Sequence, residues 1–295
     1  MSFTTEPPSQ RVFLVGAGRV GTAVAVLLQN SGCEIVGVSS RNPSSMRRAA
    51  DRLGAPSFSL EDGELPAADL WLIGASDDAI ETVARLLVGR AQGGVAAHLA
   101  GSLGLTPLGP LGAAGWGIAA LHPVQACPDI DTAIARLPGS AWGVTVSPGL
   151  ERWARGLIEE RLGGRAHGVA EAHRPLWHAA SVITSNGVAA LLAFGEEILT
   201  AFSQAAPGEV LGPLAAGTVQ NAREGGGGGQ TLTGPIVRGE TEAIQRHLTA
   251  LEGADPSLAA GYARVSGLIL DSARRAGRID EATADSIEEV LAGWR

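Results

Sequence analysis

The chain has 295 residues, which is long for a single small core and favours two domains. Hydrophobic residues make up 45% and charged residues 18% of the sequence, as is typical of a globular protein, and the formal net charge of -8 argues against a nucleic-acid partner. The sequence contains no lysine, so every basic side chain is arginine or histidine, which excludes any mechanism that uses a lysine acid, base or Schiff base.

The sequence gives no sign of export, membrane insertion or metal binding. Residues 1–10 are polar and contain proline, so they are expected to form a disordered tail rather than a targeting signal. No apolar run approaches the roughly 18 to 20 residues that a membrane-spanning helix needs, so no membrane partner is expected. Cys33 and Cys127 have neither CxxC nor metal-ligand spacing, so we expect no metal site and a cytoplasmic protein.

The first half of the chain alternates short apolar strands with amphipathic helices. The predicted strands cover residues 12–15, 34–38, 70–73, 96–99, 117–121 and 142–146, and the predicted helices cover residues 20–30, 44–53, 78–87 and 150–162. This alternation predicts an α/β domain with a doubly wound parallel sheet. Such a sheet binds its ligand beyond the carboxyl ends of its strands, so the residues that follow each strand are the candidates for a site.

From about Ala170 onward the pattern becomes helical, with no convincing strand. The predicted helices cover residues 175–202, 210–222, 240–251, 257–276 and 280–292. The predicted domains are therefore an α/β domain over residues 11–168 and an all-α domain over residues 169–295. A run of five glycines, Gly225 to Gly229, is interpreted either as a slack loop or as a mobile flap beside the site.

The most informative motif lies near the start of the chain. Gly16, Gly18 and Gly21 form a GxGxxG motif between a predicted strand and a predicted helix. The three glycines allow, in order, a tight turn, a close backbone approach to a pyrophosphate and close packing of the helix on the strand. The N–H groups of the first helical turn, from Arg19 and Val20 onward, would point at the anion. We expect a dinucleotide site, with a glycine-rich turn that binds nothing as the alternative.

The end of the second predicted strand indicates which dinucleotide binds. NAD-binding folds usually carry an acidic residue there, whereas this chain has Ser39, Ser40 and Arg41. A guanidinium binds a phosphate through two hydrogen bonds, and the serine hydroxyls can donate to the same group. The sequence therefore predicts NADP(H), unless Arg41 is only a solvated loop residue.

Small residues follow the next two predicted strands. Ala75 and Ser76 come after the third strand, where they leave room for a cofactor to cross the end of the strand. Gly101 comes after the fourth strand, where backbone N–H groups can line the nicotinamide end of the cofactor. We count all three among the cofactor-binding residues.

Two histidines are candidates for the catalytic acid. His122 is expected just beyond the end of the fifth strand, and its alternative is a structural histidine bonded to the backbone. His178 and Ser181 share one face of a long helix, and Asn186 lies on a neighbouring stripe. Polar groups on an apolar helix are costly to bury unless they are satisfied or functional, and helix–helix hydrogen bonding is the alternative. Which histidine is the acid stays open.

A third motif runs from Leu232 to Glu240. Gly-Pro marks a sharp turn there, and Thr233, Arg238 and Glu240 flank it. Arg238 is predicted to bind a substrate carboxylate, while Glu240 orients Arg238 or caps the next helix. A surface ion pair between the two residues is the alternative.

Together these motifs resemble the Rossmann-like proteins that carry a DUF2520 C-terminal domain. The resemblance rests on the glycine motif, on residues 121–125, on residues 177–180 with Asn186, and on residues 232–240. The family is similar to pyrroline-5-carboxylate reductases and β-hydroxyacid dehydrogenases. The resemblance implies an N-terminal NADP-binding domain, a helical C-terminal domain and homodimers, and some members are described as ketopantoate reductases. This chain departs from the family pattern at Ala100, often serine, and at Trp177, often tyrosine.

The prediction that follows is an NADPH-dependent reductase of a small carboxylated carbonyl compound, with ketopantoate as the best single substrate. His178 is the first choice for the general acid and His122 the second, because histidine suits proton transfer near neutral pH. Asn186 and Ser181 would polarise the carbonyl oxygen. Two alternatives stay open: an imine reductase of the pyrroline-5-carboxylate type, and a sensor that binds NADP(H) without turnover.

Overall fold

The computed structural model describes residues 11–294, so the tail expected at residues 1–10 lies outside the described residues. The chain forms two compact units, of which the first reaches Ser185 and the second begins at Asn186. The domain boundary expected after residue 168 falls at the end of the last strand and stays a prediction.

The first unit contains a seven-stranded sheet. Its strands are β1 (Arg11–Val15), β2 (Glu34–Ser39), β3 (Leu70–Ile73), β4 (Val95–His98), β5 (Gly117–Val124), β6 (Ala141–Val146) and β7 (Arg165–Gly168). They lie side by side in the order β2-β1-β3-β4-β5-β6-β7. All neighbouring pairs from β2 to β5 are parallel. The predicted doubly wound α/β arrangement is confirmed over this part of the sheet.

Two features of the sheet differ from the prediction. Strand β6 runs antiparallel to β5, with Ala119 opposite Val146 and Val124 opposite Ala141. Apolar runs mark strands but not their direction, so the sequence could not show this reversal. Strand β7 was missed because the residues Arg165–Gly168 are polar or small and mostly exposed, which leaves no apolar pattern to detect.

Helices cover the sheet on both faces. In the first unit they are α1 (Arg19–Asn30), α2 (Pro43–Leu53), α3 (Ile80–Leu87), α4 (Gly109–Ala113), α5 (Ile130–Arg136), α6 (Glu151–Gly156) and α7 (Arg174–Val182). Successive side chains of a strand point to opposite faces, so Leu70 and Leu72 join one core cluster while Trp71 and Ile73 join the other. The two cores hold the sheet between layers of helices and fix the positions of its strand ends.

The second unit, residues 186–294, consists of helices joined by turns and irregular segments. Its helices are α8 (Val188–Thr200), α9 (Pro207–Glu224), α10 (Thr241–Ala254), α11 (Pro256–Arg275) and α12 (Glu281–Ala292). The core of this unit joins Ile244 and Leu248 of α10, Leu270 of α11 and Ile287 of α12. The predicted all-α second half, without strands, is confirmed for the described residues.

Helices α8 and α9 differ from the rest because every residue in them is partly or fully exposed. The exposed side chains include Leu191 at 45%, Leu214 at 68% and Val219 at 49% of their surface. The helical stretch Glu171–Thr200 is long and apolar enough, by length and composition alone, to cross a membrane. The sequence-based expectation concerned uninterrupted apolar runs, and this stretch contains none of the required length because polar residues are scattered through it.

Candidate active site

The parallel strands bring five loop segments to one edge of the sheet, because the carboxyl ends of parallel strands meet there. A cleft of about 890 Å³ opens along this edge, beyond β2, β1 and β3. The predicted cofactor residues that line it are Gly16, Gly18, Ser39, Ser40, Arg41, Ala75 and Ser76. Arg19, Val20 and Gly21 belong to the first turn of α1, and Gly101 follows β4.

Close contacts with neighbouring backbone atoms explain why two positions of the motif are glycine. Gly16 has a φ of +87°, and a Cβ atom there would lie 2.5 Å from the backbone nitrogen of Ala75. A Cβ atom on Gly21 would lie 2.9 Å from the carbonyl oxygen of Gly16. Gly18 has more room, because its nearest neighbour is 3.5 Å from the Cβ position. The first and last glycines therefore serve packing, and the middle one leaves the backbone open to the cleft.

The first turn of α1 can bind an anion. Gly18 is the residue before the helix and has no side chain that could cap the N–H groups of that turn. Free N–H groups and the helix dipole favour a phosphate at such a position. The guanidinium of Arg19 donates a hydrogen bond to the carbonyl oxygen of Pro128 at 2.9 Å. Arg19 therefore contributes its backbone, and not its side chain, to the first turn of α1.

The end of β2 supplies hydroxyls and a guanidinium, as predicted for a 2′-phosphate. Ser39 is buried and its carbonyl accepts from Gly16 N at 2.7 Å, while Arg41 is exposed beside the cleft. Two cleft residues that the sequence did not single out complete this end: Asn42, which accepts from the backbone of Ser45, and Ser45 itself. Their only signal was the Asn-Pro start of α2.

Carboxylates also reach the cleft. Asp78 and Glu61 both line it. A hydrogen bond from Ser76 holds the pKa of Asp78 below its ordinary value, and the positive charge of Arg41 lowers it further. Sequence reasoning missed Glu61 because it lies in the irregular segment between α2 and β3, where no periodic pattern points to a ligand.

Gly101 lies against both candidate histidines. A Cβ atom there would lie 2.4 Å from Cδ2 of His178 and 2.9 Å from Nε2 of His122. The two imidazole rings stand edge to face, with centroids 5.4 Å apart and an angle of 88° between their planes. The structure thus brings together three residues that the sequence placed in the site from three separate motifs.

His122 lies inside β5, opposite Gly143 of β6, and not beyond the end of the strand as expected. The strand continues to Val124 because β6 pairs with it as far as Ala141. Burial, reinforced by the nearby charges of His178 and Arg174, lowers the pKa of His122 to about 4. His122 is therefore neutral at pH 7.

Trp177 donates its indole N–H to Nδ1 of His122 at 3.2 Å. The sequence noted Trp177 only as a departure from the family pattern. A Cβ atom on Gly143 would lie 2.6 Å from Nε1 of Trp177, so the glycine on β6 makes room for the indole.

The helix that carries His178 is not uniform. Residues Ile183–Gly187 form a π-helical turn, which shifts the angular position of the residues that follow it. The angular positions inferred from a uniform 3.6-residue spacing therefore do not hold as far as Asn186, which is exposed and begins the second unit. Ser181 donates to the carbonyl of Trp177 at 3.0 Å within its own helix.

Arg174 is a buried residue that sequence reasoning missed. Its guanidinium donates to the carbonyl oxygens of Ala100 at 2.5 Å, Leu103 at 3.0 Å and Gly143 at 3.0 Å, with a longer contact to Ala120 at 3.4 Å. Burial lowers its pKa to about 10, so it stays charged at neutral pH. A lone arginine at the start of an apolar helix gave no signal for this role.

Two further side chains hold the loop that carries Gly101. His98 is fully buried; its Nδ1 accepts from Ala100 N, and its Nε2 lies 2.8 Å from the carbonyl of Gly104. Glu171 accepts from the backbone N–H groups of Leu105 and Thr106. With Arg174, these contacts fix the loop after β4 from both sides.

The remaining predicted residues belong to the second unit. Arg238 forms a two-point ion pair with Glu240, with Nε and Nη2 at 2.7 and 3.0 Å from its carboxylate oxygens. This is the arrangement that the sequence left open as the alternative, and it lets Glu240 orient Arg238 without capping α10. Thr233 is exposed in the turn before Gly234.

Comparisons with known proteins agree with this architecture. A family model for a Rossmann-like domain matches residues 2–123, and one for a domain of unknown function, DUF2520, matches residues 140–269. Among curated proteins, none is similar enough in sequence to match.

Several solved structures share the fold. A protein from Bacteroides fragilis, assigned provisionally as an NADP oxidoreductase, has a TM-score of 0.73 at 23% identity, covering 90% of this chain and 99% of that one. A reductive aminase from Aspergillus terreus in complex with NADPH has a TM-score of 0.59 at 15% identity, covering 96% and 92%. A pyrroline-5-carboxylate reductase from Coxiella burnetii has a TM-score of 0.55 at 17% identity, covering 96% and 98%. The chain therefore carries a Rossmann-like domain followed by a DUF2520 domain, as its motifs predicted.

Proposed function

We propose that this protein is an NADP(H)-dependent reductase of a small carboxylated carbonyl compound. The observation that carries the proposal is the meeting of His122 and His178 at Gly101, one strand beyond the cleft that the glycine motif lines. A hydride acceptor at that place would have a proton donor beside it.

The order of the strands gives the cofactor a direction. Arg41 follows β2, the glycine motif follows β1, Ser76 follows β3, and Gly101 follows β4. Neighbouring strands are about 4.8 Å apart, so these groups are spaced along the edge of the sheet. A dinucleotide with its 2′-phosphate at Arg41 would have its pyrophosphate at the glycine motif and its nicotinamide near Gly101. The NADPH complex of the Aspergillus terreus reductive aminase supports this cofactor.

The residues beside Gly101 fit the chemistry of carbonyl reduction. NADPH, when bound, supplies a hydride to the carbonyl carbon. In this proposal His178 delivers the proton to the carbonyl oxygen. The neutral state of His122 at pH 7 supports His178 as the acid, because a group with a pKa of about 4 holds no extra proton to give at that pH.

The charges around His122 favour a neutral or anionic reacting group over a cationic iminium ion. Both groups that lower its pKa by charge, His178 and Arg174, carry or can carry a positive charge. Positive charges in a partly buried site oppose a cationic substrate and stabilise the negative charge that develops on a carbonyl oxygen. This observation supports carbonyl reduction as the first reaction to test and imine reduction as the second.

The finer assignments are proposals as well. Ketopantoate is the substrate to test first. Asn186 and Ser181 are proposed to polarise its carbonyl, and Arg238 with Thr233 and Glu240 to recognise its carboxylate. The exposed leucines of α8 and α9 support a homodimer through the helical part of the chain.

The test is oxidation of NADPH by the purified full-length protein with ketopantoate, followed by its absorbance. NADH replaces NADPH in a parallel assay, and pyrroline-5-carboxylate replaces ketopantoate in another. Turnover with ketopantoate and NADPH would establish the reaction and the cofactor together. Turnover with pyrroline-5-carboxylate alone would favour the imine reductase, and tight NADPH binding without turnover of either compound would favour the sensor.

A further inference from the structure

The hydrogen bond between Trp177 and His122 has a direction that its atoms fix. An indole N–H can only donate, so Nδ1 of His122 accepts through its lone pair at 3.2 Å. A neutral imidazole that accepts at Nδ1 carries its proton on Nε2. The tautomer of His122 therefore follows from the position of Trp177.

The Nε2 atom of His122 faces the loop after β4. It lies 2.9 Å from the position that a Cβ atom on Gly101 would occupy. Across residues 11–294 no hydrogen-bond partner is found for this nitrogen, so its N–H is free for a ligand. This nitrogen therefore lies beside Gly101, where the proposed function puts the reacting carbonyl.

The same contact opposes protonation of His122. Protonation of the Nε2–H tautomer must occur at Nδ1, and that lone pair already holds the indole N–H. The titratable or charged groups that act on His122 are His178 and Arg174, both on α7, and both act in the same direction. The hydrogen bond from Trp177 and the nearby positive charges therefore both oppose protonation of His122.

We propose that Trp177 is a positioning residue that holds His122 as its Nε2–H tautomer, so that His122 donates a hydrogen bond to the carbonyl oxygen of the substrate. An N–H donor matches the lone pairs of a carbonyl oxygen and does not match the N–H of an iminium ion. The pair Trp177–His122 therefore favours oxo compounds over iminium ions. The substrate part of this inference rests on the proposed function, whereas the tautomer does not.

The tautomer is measured directly by NMR of the imidazole nitrogens in full-length protein labelled with ¹⁵N-histidine. The His122 signals are assigned by their loss in His122→Gln. We expect the Nε2–H tautomer in the wild-type protein at pH 7. In Trp177→Phe the share of the Nδ1–H tautomer should rise about 2- to 10-fold, as expected for loss of one ordinary hydrogen bond, and the pKa of His122 should rise. Trp177→Tyr, which restores a donor, should reverse both changes.

Trp71→Phe is the matched control, because the Trp71 indole donates to the carbonyl of Gly93 and not to a histidine. It should leave the His122 signals unchanged. An Nδ1–H or doubly protonated His122 in the wild-type protein would overturn the proposal, even if Trp177→Phe did not fold. An unchanged tautomer ratio in folded Trp177→Phe would overturn it as well.

Kinetics separate this inference from the proposed function. With ketopantoate and NADPH, Trp177→Phe should lower kcat/KM about 2- to 10-fold and leave the Kd of NADPH unchanged. A fall in kcat/KM without a change of tautomer would reduce Trp177 to a packing role and refute the proposal. If the wild-type protein turns over no tested substrate, the proposed function fails and the NMR result alone decides the role of Trp177.

Discussion

The two compact units depart from a simple core-and-surface pattern in opposite ways. The first unit buries polar side chains: Arg174 and His98 are fully buried among strand ends. The second unit exposes apolar ones, because every residue of α8 and α9 is at least partly accessible. Buried polar groups are costly unless they are fully bonded, and large exposed apolar surfaces usually meet a partner. The first departure lies at the proposed site, and the second lies on the helices proposed to form the homodimer.

The strongest test of the first departure is His178→Ala. If His178 is the general acid, kcat should fall about 10²- to 10⁴-fold, which is the usual contribution of such a group. The Kd of NADPH should stay nearly constant. Steady-state kinetics and a binding titration measure the two quantities. His173→Ala is the control, because His173 is exposed on the segment just before α7. Full activity in His178→Ala would remove His178 from the mechanism.

Arg174→Met tests whether the buried guanidinium holds the loop after β4. The substitution leaves the carbonyl oxygens of Ala100, Leu103 and Gly143 without their donor, and it should lower the free energy of unfolding by about 3 kcal/mol. Urea unfolding measures this change. The exposed Arg152, changed to Met in the same way, should alter stability by less than about 0.5 kcal/mol. Equal effects of the two substitutions would contradict the structural role of Arg174.

His122 should make stability depend on pH. Its pKa falls from 6.5 to about 4 on folding, so below pH 6.5 the unfolded chain binds a proton that the folded chain does not. The free energy of unfolding should therefore fall between pH 6.5 and pH 4, by at most about 3 kcal/mol.

His122→Gln should remove this part of the pH dependence. Urea unfolding at the two ends of the range measures it for both proteins. The lowered pKa of buried His98 adds a change of the same sign in both, so the difference between them isolates His122. Parallel stability curves would show that burial does not depress the pKa of His122.

Arg41→Ser tests whether the residue that follows β2 binds the 2′-phosphate of the cofactor. Loss of a charged hydrogen bond to the 2′-phosphate should weaken NADPH binding roughly 10- to 100-fold and leave NADH binding unchanged. Fluorescence titration with each cofactor gives the two Kd values. Arg47→Ser is a control on α2, because Arg47 is exposed and is absent from the cleft lining. An equal loss for NADPH and NADH would argue against a 2′-phosphate at Arg41.

The smallest effect on stability is expected in the second unit. Leu214→Glu changes a side chain that is 68% exposed, so unfolding of the isolated chain should shift by less than about 0.5 kcal/mol. If α9 forms a homodimer interface, sedimentation should nevertheless show dissociation. Val88→Glu, at an exposed valine beside α3, is the control. A wild-type protein that is monomeric and sediments with lipid vesicles would point to a membrane partner instead.

Sequence patterns captured the repetitive parts of this molecule well. Apolar runs located β1 to β6 and the long helices, because burial imposes a period on each element. The glycine motif located the cofactor loop, because only glycine fits where Gly16 meets Ala75. Both signals are local, so a single sequence displays them.

The parts that were missed depend on distant contacts. The direction of β6 and the existence of β7 are set by pairing with residues elsewhere in the chain. The role of Arg174 depends on carbonyl groups of the loop after β4 and of β6, which no local sequence pattern reveals. The exposed face of α8 and α9 looked like an ordinary apolar helix, because sequence does not reveal what covers it.

Arg174 also has a consequence for how the chain folds. Its acceptors at Ala100, Leu103 and Gly143 lie 74, 71 and 31 positions away along the chain. Contacts between such distant positions form slowly, because the intervening chain must first be ordered. The guanidinium reaches its place only when β4, β5 and β6 have assembled. We therefore expect the loop that carries Gly101 to be completed late in folding, after the strands on which Arg174 depends.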